Sequence, residues 1–156
     1  PVLTDDPETS RFLLPPKAPS GGGGLVSTTA DYLQFCRLML GKGALGGVRL
    51  IGRKTAEYMT MNHLPGDLAS MGTPRFAETP YTGVGFGLGF SVVVDPAQAA
   101  TLTSAGEYAW GGMASTGFWC DPTEDLAVVV MTQLIPSSAW PIRRELRVLV
   151  NQAIVD

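Results

Sequence analysis

Histidine is almost absent from this chain, and so is any excess of positive charge. Its 156 residues include one histidine, His63, and 11 Lys and Arg against 14 Asp and Glu, for a formal net charge of −3. The basic residues are scattered apart from Arg143-Arg144, so there is no basic footprint for nucleic acid. Cys36 and Cys120 are too few for a disulfide scaffold and lack metal-ligand spacing; each lies in an apolar segment and reads as a reduced core thiol. No apolar run approaches the roughly 20 residues that a membrane-spanning helix requires. The chain opens on Pro1 rather than Met, with no signal-peptide pattern after it. It therefore reads as a piece cut from a longer protein, with any export signal upstream and the compartment open.

Apolar residues are plentiful, at 45%, enough for one packed domain. Residues 1–24 carry Pro1, Pro7, Pro15, Pro16 and Pro19 and then Gly21 to Gly24, a loop segment that sustains neither helix nor ladder. Residues 25–156 hold the folded portion. Ser27-Thr28-Thr29 supply cap oxygens, with Asp31 in the first turn, for a helix from Thr29 to Leu40 that buries Leu33, Phe35, Cys36, Met39 and Leu40. Gly41 and Gly43 end it. A second helix is expected from Arg53 to Asn62. The stretch 64–84, with Met71, Phe76 and Tyr81, is long for a structureless connection and suits either a substrate lid or a plain linker.

The remainder alternates like β-structure. Gly85 to Val94 opens with spaced glycines and becomes a strand ended by Asp95-Pro96, and residues 97–105 form a small-residue loop. From Gly106 to Gln133 three antiparallel strands are expected. The first is a glycine-bearing edge strand around Trp110, which loses its side chains at Gly111 and Gly112. Leu126 to Met131 is an unbroken apolar run that reads as a central strand covered on both faces. Asp121, Glu124 and Asp125 sit in a Pro-Thr turn that lacks the longer ligand pattern of a calcium loop. From Trp140 to Val155, Ile142, Leu146, Leu149 and Ala153 form the stripe of an amphipathic helix, with Arg143, Arg144, Glu145 and Arg147 on its outer face. The fold class expected is α+β: an antiparallel sheet, a C-terminal helix packed on it and two helices upstream.

The order of these parts resembles a known family. Gly-Gly-Leu-Val-Ser-Thr opens a helix, and Gly-Leu-Gly-Phe, Trp-Gly-Gly, Phe-Trp-x-Asp-Pro and Met-Thr-Gln follow in turn. This resembles the C-terminal half of the serine hydrolases of the β-lactamase and penicillin-binding-protein superfamily, in the class C-like branch that includes family VIII carboxylesterases. The resemblance implies a serine hydrolase acting through an acyl-enzyme on small esters, amides or β-lactams, with no cofactor and no metal. It places Trp110, Gly111 and Gly112 at the substrate as the third motif, where small residues let the strand lie flat against an acyl group. The backbone N–H of Met113 would be one half of an oxyanion hole, and the nucleophile's own N–H the other. The family's Ser-x-x-Lys follows none of the nine serines, and none of the four tyrosines has Asn or Ser two residues on. The nucleophile is therefore expected in a missing N-terminal half, and this chain alone should be inactive. The same half would add two strands beside Leu126–Gln133, so the isolated chain is expected to self-associate.

Plainer readings stand beside these. Trp110 and its glycines suit an ordinary strand bulge. His63 has no carboxylate or serine at suggestive spacing and reads as a loop residue, and Glu107 and Tyr108 read as solvated strand residues. A non-catalytic relative that binds a ligand or partner is the alternative from another class. A D-alanyl peptidase fits less well, because Trp110 replaces the lysine that would hold a substrate carboxylate.

Overall fold

The computed structural model describes residues 2–72 and 81–155; Phe76, on the expected lid, lies outside the described residues. After a 3-10 turn at Arg11–Leu13, the first helix, α1 (Thr29–Leu40), starts at an N-cap as the sequence requires. Thr28 Oγ1 accepts from the Asp31 N–H at 3.1 Å and donates to the Asp31 carboxylate at 2.9 Å. One first-turn donor is thereby satisfied, and negative charge sits at the positive helix end. Cys36 and Met39 are buried, but Phe35, expected in the core, lies at its margin with its ring on Phe90 and Phe118.

The strands β1 (Ala44–Leu45) and β2 (Val48–Arg49) pair across Gly46 and Gly47. Their φ values of 57° and 82° are those that a two-residue hairpin turn demands. Helix α2 (Arg53–Met59) stops short of Asn62. The Asn62 side chain is needed elsewhere: its Oδ1 accepts from the N–H groups of Leu64 and Phe86, each at 3.0 Å. The Met59 carbonyl, at the helix end, accepts from Leu88 N–H at 2.9 Å.

The main sheet has five antiparallel strands: β3 (Val84–Phe86), β4 (Ser91–Val93), β5 (Tyr108–Gly111), β6 (Gly117–Asp121) and β7 (Leu126–Val130), in that spatial order. It sharpens one expectation and corrects two. The glycine-spaced opening of the run 85–94 is itself paired as β3 and makes a hairpin with the expected strand, because Gly87 N–H donates back to the Phe90 carbonyl at 2.7 Å and Gly89 takes φ 96°. β5 is not an edge strand, since β4 pairs it through Ala109 and Tyr108 on one side and β6 pairs its whole length on the other. β7 is not central: it ends the sheet among the described residues and is only half-buried. After β4, Asp95 caps the short α3 (Pro96–Ala99) by accepting from the N–H groups of Ala97 and Gln98.

The sheet lies between helices. On one face α1 packs over Phe90, Val92, Tyr108, Phe118 and Cys120, with both cysteines free and fully buried. Full burial of a large apolar side chain contributes about 1.5–3 kcal/mol, so this face is the main core. On the other face lies α4 (Ile142–Asn151), turned differently from expectation. Arg147 and Arg143 point at the sheet, whereas Leu149 is exposed. The arginine stems cover small residues there, and the sheet supplies a charge partner, Glu107.

Candidate active site

The strand β5 presents alternate residues to opposite faces. Tyr108 lies in the core under α1, whereas Glu107, Ala109 and Gly111 face α4. Trp110 is 42% exposed and meets the edge of Phe86, with ring centroids 4.9 Å apart. Beyond Ala109 the strand has no partner on its β4 side among the described residues, because the pairing stops at Ser91. The Trp110–Gly111 stretch is thus paired on one side only.

Gly111 is glycine for a structural reason as well. A Cβ there would strike the Arg143 guanidinium and lie 3.0 Å from the Thr116 carbonyl oxygen, and a Cβ on the facing Gly117 would lie 2.8 Å from Arg143 Cδ. The arginine of α4 therefore lies flat on the back of this strand end. Gly112 closes the strand by donating its N–H to the Thr116 carbonyl at 2.9 Å.

Gly112 to Ser115 make a β-turn. Ser115 N–H donates to the Gly112 carbonyl at 3.2 Å, which puts Met113 at the first central position, where a turn leaves the N–H unused. Met113 is 69% exposed, and among the described residues no hydrogen bond involves its N–H. The turn is braced from behind. Ser115, at φ 63° and fully buried, donates its hydroxyl to the Leu134 carbonyl at 2.7 Å. The Ala114 carbonyl accepts from Thr132 Oγ1 at 2.7 Å and from Leu134 N–H at 3.2 Å. A free donor is held on a fixed turn, one residue past two glycines.

The structure brings Trp110, Gly111, Gly112 and Met113 together at one end of the sheet. It does not bring His63 there: that ring is exposed, stacks edge-on against Tyr58 at 4.4 Å and places Nε2 2.7 Å from the Tyr58 carbonyl oxygen. Glu107 and Tyr108 are corrected, being 1% and 2% exposed rather than solvated. The Glu107 carboxylate accepts from Thr103 Oγ1 at 2.7 Å and lies 3.0 Å from Arg147 Nη2. Burial pushes its carboxyl above the usual range, and the Arg147 charge opposes that rise. Asp121 closes β6 fully buried, accepting from the Thr123 N–H at 2.9 Å, and Asp125 turns the chain into β7 at φ 49°.

The bracing residues Ser115, Thr132, Arg143 and Arg147 escaped the sequence reading. A second stripe on α4, Arg143 with Arg147, was the available signal, but polar residues at helical spacing point outward by default.

Comparison with known proteins gives the family of the chain. The family profile for Beta-lactamase matches residues 2–152. Protein Rv1367c of Mycobacterium tuberculosis is 36% identical over 126 residues, covering 78% of this chain and 31% of the relative. Esterase EstB of Burkholderia gladioli is 32% identical over 123 residues, covering 79% of this chain and 28% of its own. The chain thus spans about a third of the length of these relatives. Among solved structures, EstCE1, a hydrolase with promiscuous acyltransferase activity, superposes with a TM-score of 0.70 at 30% identity over 90% of this chain and 34% of that one. A β-lactamase of Mycobacterium bovis shares the fold, with a TM-score of 0.56 at 23% identity, over 81% of this chain and 43% of that one. With its α+β architecture and the profile running nearly end to end, the chain belongs to the β-lactamase family.

Proposed function

We propose that this chain is the oxyanion-hole side of a serine hydrolase that acts through an acyl-enzyme on small esters, amides or β-lactams, with its nucleophile outside residues 1–156. The observation that carries this reading is the braced turn that leaves the Met113 N–H exposed and unpaired beside Trp110. In the cycle, a serine oxygen attacks the acyl carbonyl while a neighbouring base takes its proton. Negative charge grows on the carbonyl oxygen, where the Met113 N–H and the nucleophile's own N–H meet it. The alcohol or amine leaves with a proton, and water repeats the attack to release the acid. A donor already fixed needs no reorganisation as charge develops, which is why one such group is worth about 10²–10³ in rate. Gly111 and Gly112 let the acyl group lie against the strand, and Trp110 walls it. The absence of Ser-x-x-Lys in this chain and the greater length of its relatives support a nucleophile contributed by sequence outside it. The esterase among those relatives makes esters the first substrates to test.

The test uses the gene product read through from upstream sequence, with p-nitrophenyl butyrate as substrate. Met113→Pro deletes the N–H at a turn position that proline favours, and Met113→Ala keeps it. The proline variant is expected to lose ~10²–10³ in kcat, and the alanine variant to stay near the parent. Equal behaviour of the two would remove Met113 from the role. No hydrolysis by the read-through protein would favour the ligand-binding alternative.

A further inference from the structure

The sequence holds two cysteines, and the fold brings them together. Cys36 lies on the buried side of α1, and Cys120 lies on β6, 84 residues further along the chain. Both are fully buried in the core that α1 makes with the sheet. Cys120 Sγ is 3.9 Å from the Cys36 carbonyl oxygen. The two thiols also hydrogen-bond each other, which holds Cys36 below the ordinary thiol value and raises Cys120. Nothing in the acyl-transfer reading calls for this meeting.

Packing alone does not need sulfur at either position. A buried thiol acts as a small apolar group with a weak donor, and a small aliphatic side chain fills the same role. What only a pair of thiols supplies is a covalent bond. The setting suits that bond: Phe90, Val92, Tyr108 and Phe118 share the cluster with both cysteines. A disulfide has no S–H donor to satisfy in such a core.

We propose that Cys36 and Cys120 are a dithiol–disulfide site, which closes when the chain folds in contact with a disulfide oxidant such as oxidised glutathione and stays reduced where thiols predominate. One cysteine thiolate attacks the oxidant's disulfide and expels a thiolate. The other cysteine gives up its proton, attacks the mixed disulfide and expels the second thiolate. Two electrons and two protons pass from the pair to the oxidant, which becomes two thiols. Burial sets the timing. In the folded chain both sulfurs are shielded from a molecule as large as glutathione, so exchange occurs before α1 closes over the sheet, and the finished bond is shielded from reductant in turn. The bond ties α1 to β6 across a long loop, the case in which a cross-link restrains the unfolded chain most. The site needs neither the nucleophile nor the acyl pocket.

The test produces the gene product read through from upstream sequence in two hosts, one with a reducing cytoplasm and one lacking thioredoxin and glutathione reductases. N-ethylmaleimide is added at lysis, the soluble protein is unfolded in the same reagent, and peptides are mapped without reductant. The expected result is a bonded Cys36–Cys120 peptide as the main form from the oxidising host, and maleimide on both cysteines from the reducing one. The native bonded protein should melt about 3–10 °C higher than the unbonded one, and Cys36→Ala or Cys120→Ala should remove that difference between hosts. Maleimide on both cysteines in the soluble protein of the oxidising host would overturn the proposal. So would either cysteine recovered on glutathione or on a different cysteine.

Discussion

Replacing Arg147 by Met tests how α4 is held to the sheet. The Glu107 side chain is fully covered and that of Arg147 is 21% exposed, with 3.0 Å between the charges. Removing one member of a buried pair costs about 3–5 kcal/mol, mostly because the other charge stays buried without its partner. The partial exposure of Arg147 and the surviving Thr103 hydrogen bond place Arg147→Met toward the lower end. Removing both charges in Arg147→Met/Glu107→Leu should cost less than Arg147→Met alone, since no orphan remains. The pH dependence follows from the same geometry. Burial raises the Glu107 carboxyl, and Arg147 is the chief influence pulling it back. Without Arg147 it rises further. An acid whose folded value lies above its unfolded one destabilises the fold when it ionises. The penalty is therefore full above the folded value and fades as pH falls toward the unfolded value of about 4.3. Urea melts of parent and variant at pH 7.5 and pH 5 should show a larger difference at the higher pH. A cost below about 1 kcal/mol, typical of a surface pair, or a difference independent of pH would refute this account of the α4 contact.

Three further outcomes are expected. Gly87→Ala should cost about 1–3 kcal/mol in denaturant melts, since its Cβ would strike the Met59 carbonyl and lie 2.9 Å from that of Met61. Asp67 accepts from the N–H groups of Gly83 and Ser70, each at 2.9 Å, and these bonds hold its carboxyl below the usual range. Its contribution is present above the unfolded value of about 3.9 and lost as pH falls through the lowered one. The gap in melting temperature between parent and Asp67→Asn should accordingly shrink in acid. The open β7 edge should make the chain associate in sedimentation velocity; a monomer with a cooperative melt would oppose that.

What the sequence disclosed was chiefly local. The bounds of α1 could be read because Thr28, Asp31 and Gly41 act within one turn of the helix ends. The turn at Gly46-Gly47 is local in the same sense, because those glycines meet a φ requirement set by neighbouring residues. The sheet order could not, since the β3–β4 pairing depends on a turn at Gly87–Phe90 without the usual Asn-Gly signature. The orientation of α4 was hidden for a related reason. Its arginines look solvated until Glu107, distant in sequence, supplies a buried counter-charge. The candidate site was legible only as a string, Trp110 to Met113, and the bracing of its turn through Ser115, Thr132 and Leu134 arises only when the segment after β7 returns to it.

The central claim is that these residues furnish the oxyanion side of an acyl-transfer site and not its nucleophile. Its most direct test is the intact mass of this purified chain before and after treatment with a fluorophosphonate serine probe. The account predicts an unchanged mass. A stoichiometric adduct would contradict it, because an activated serine would then reside within residues 1–156.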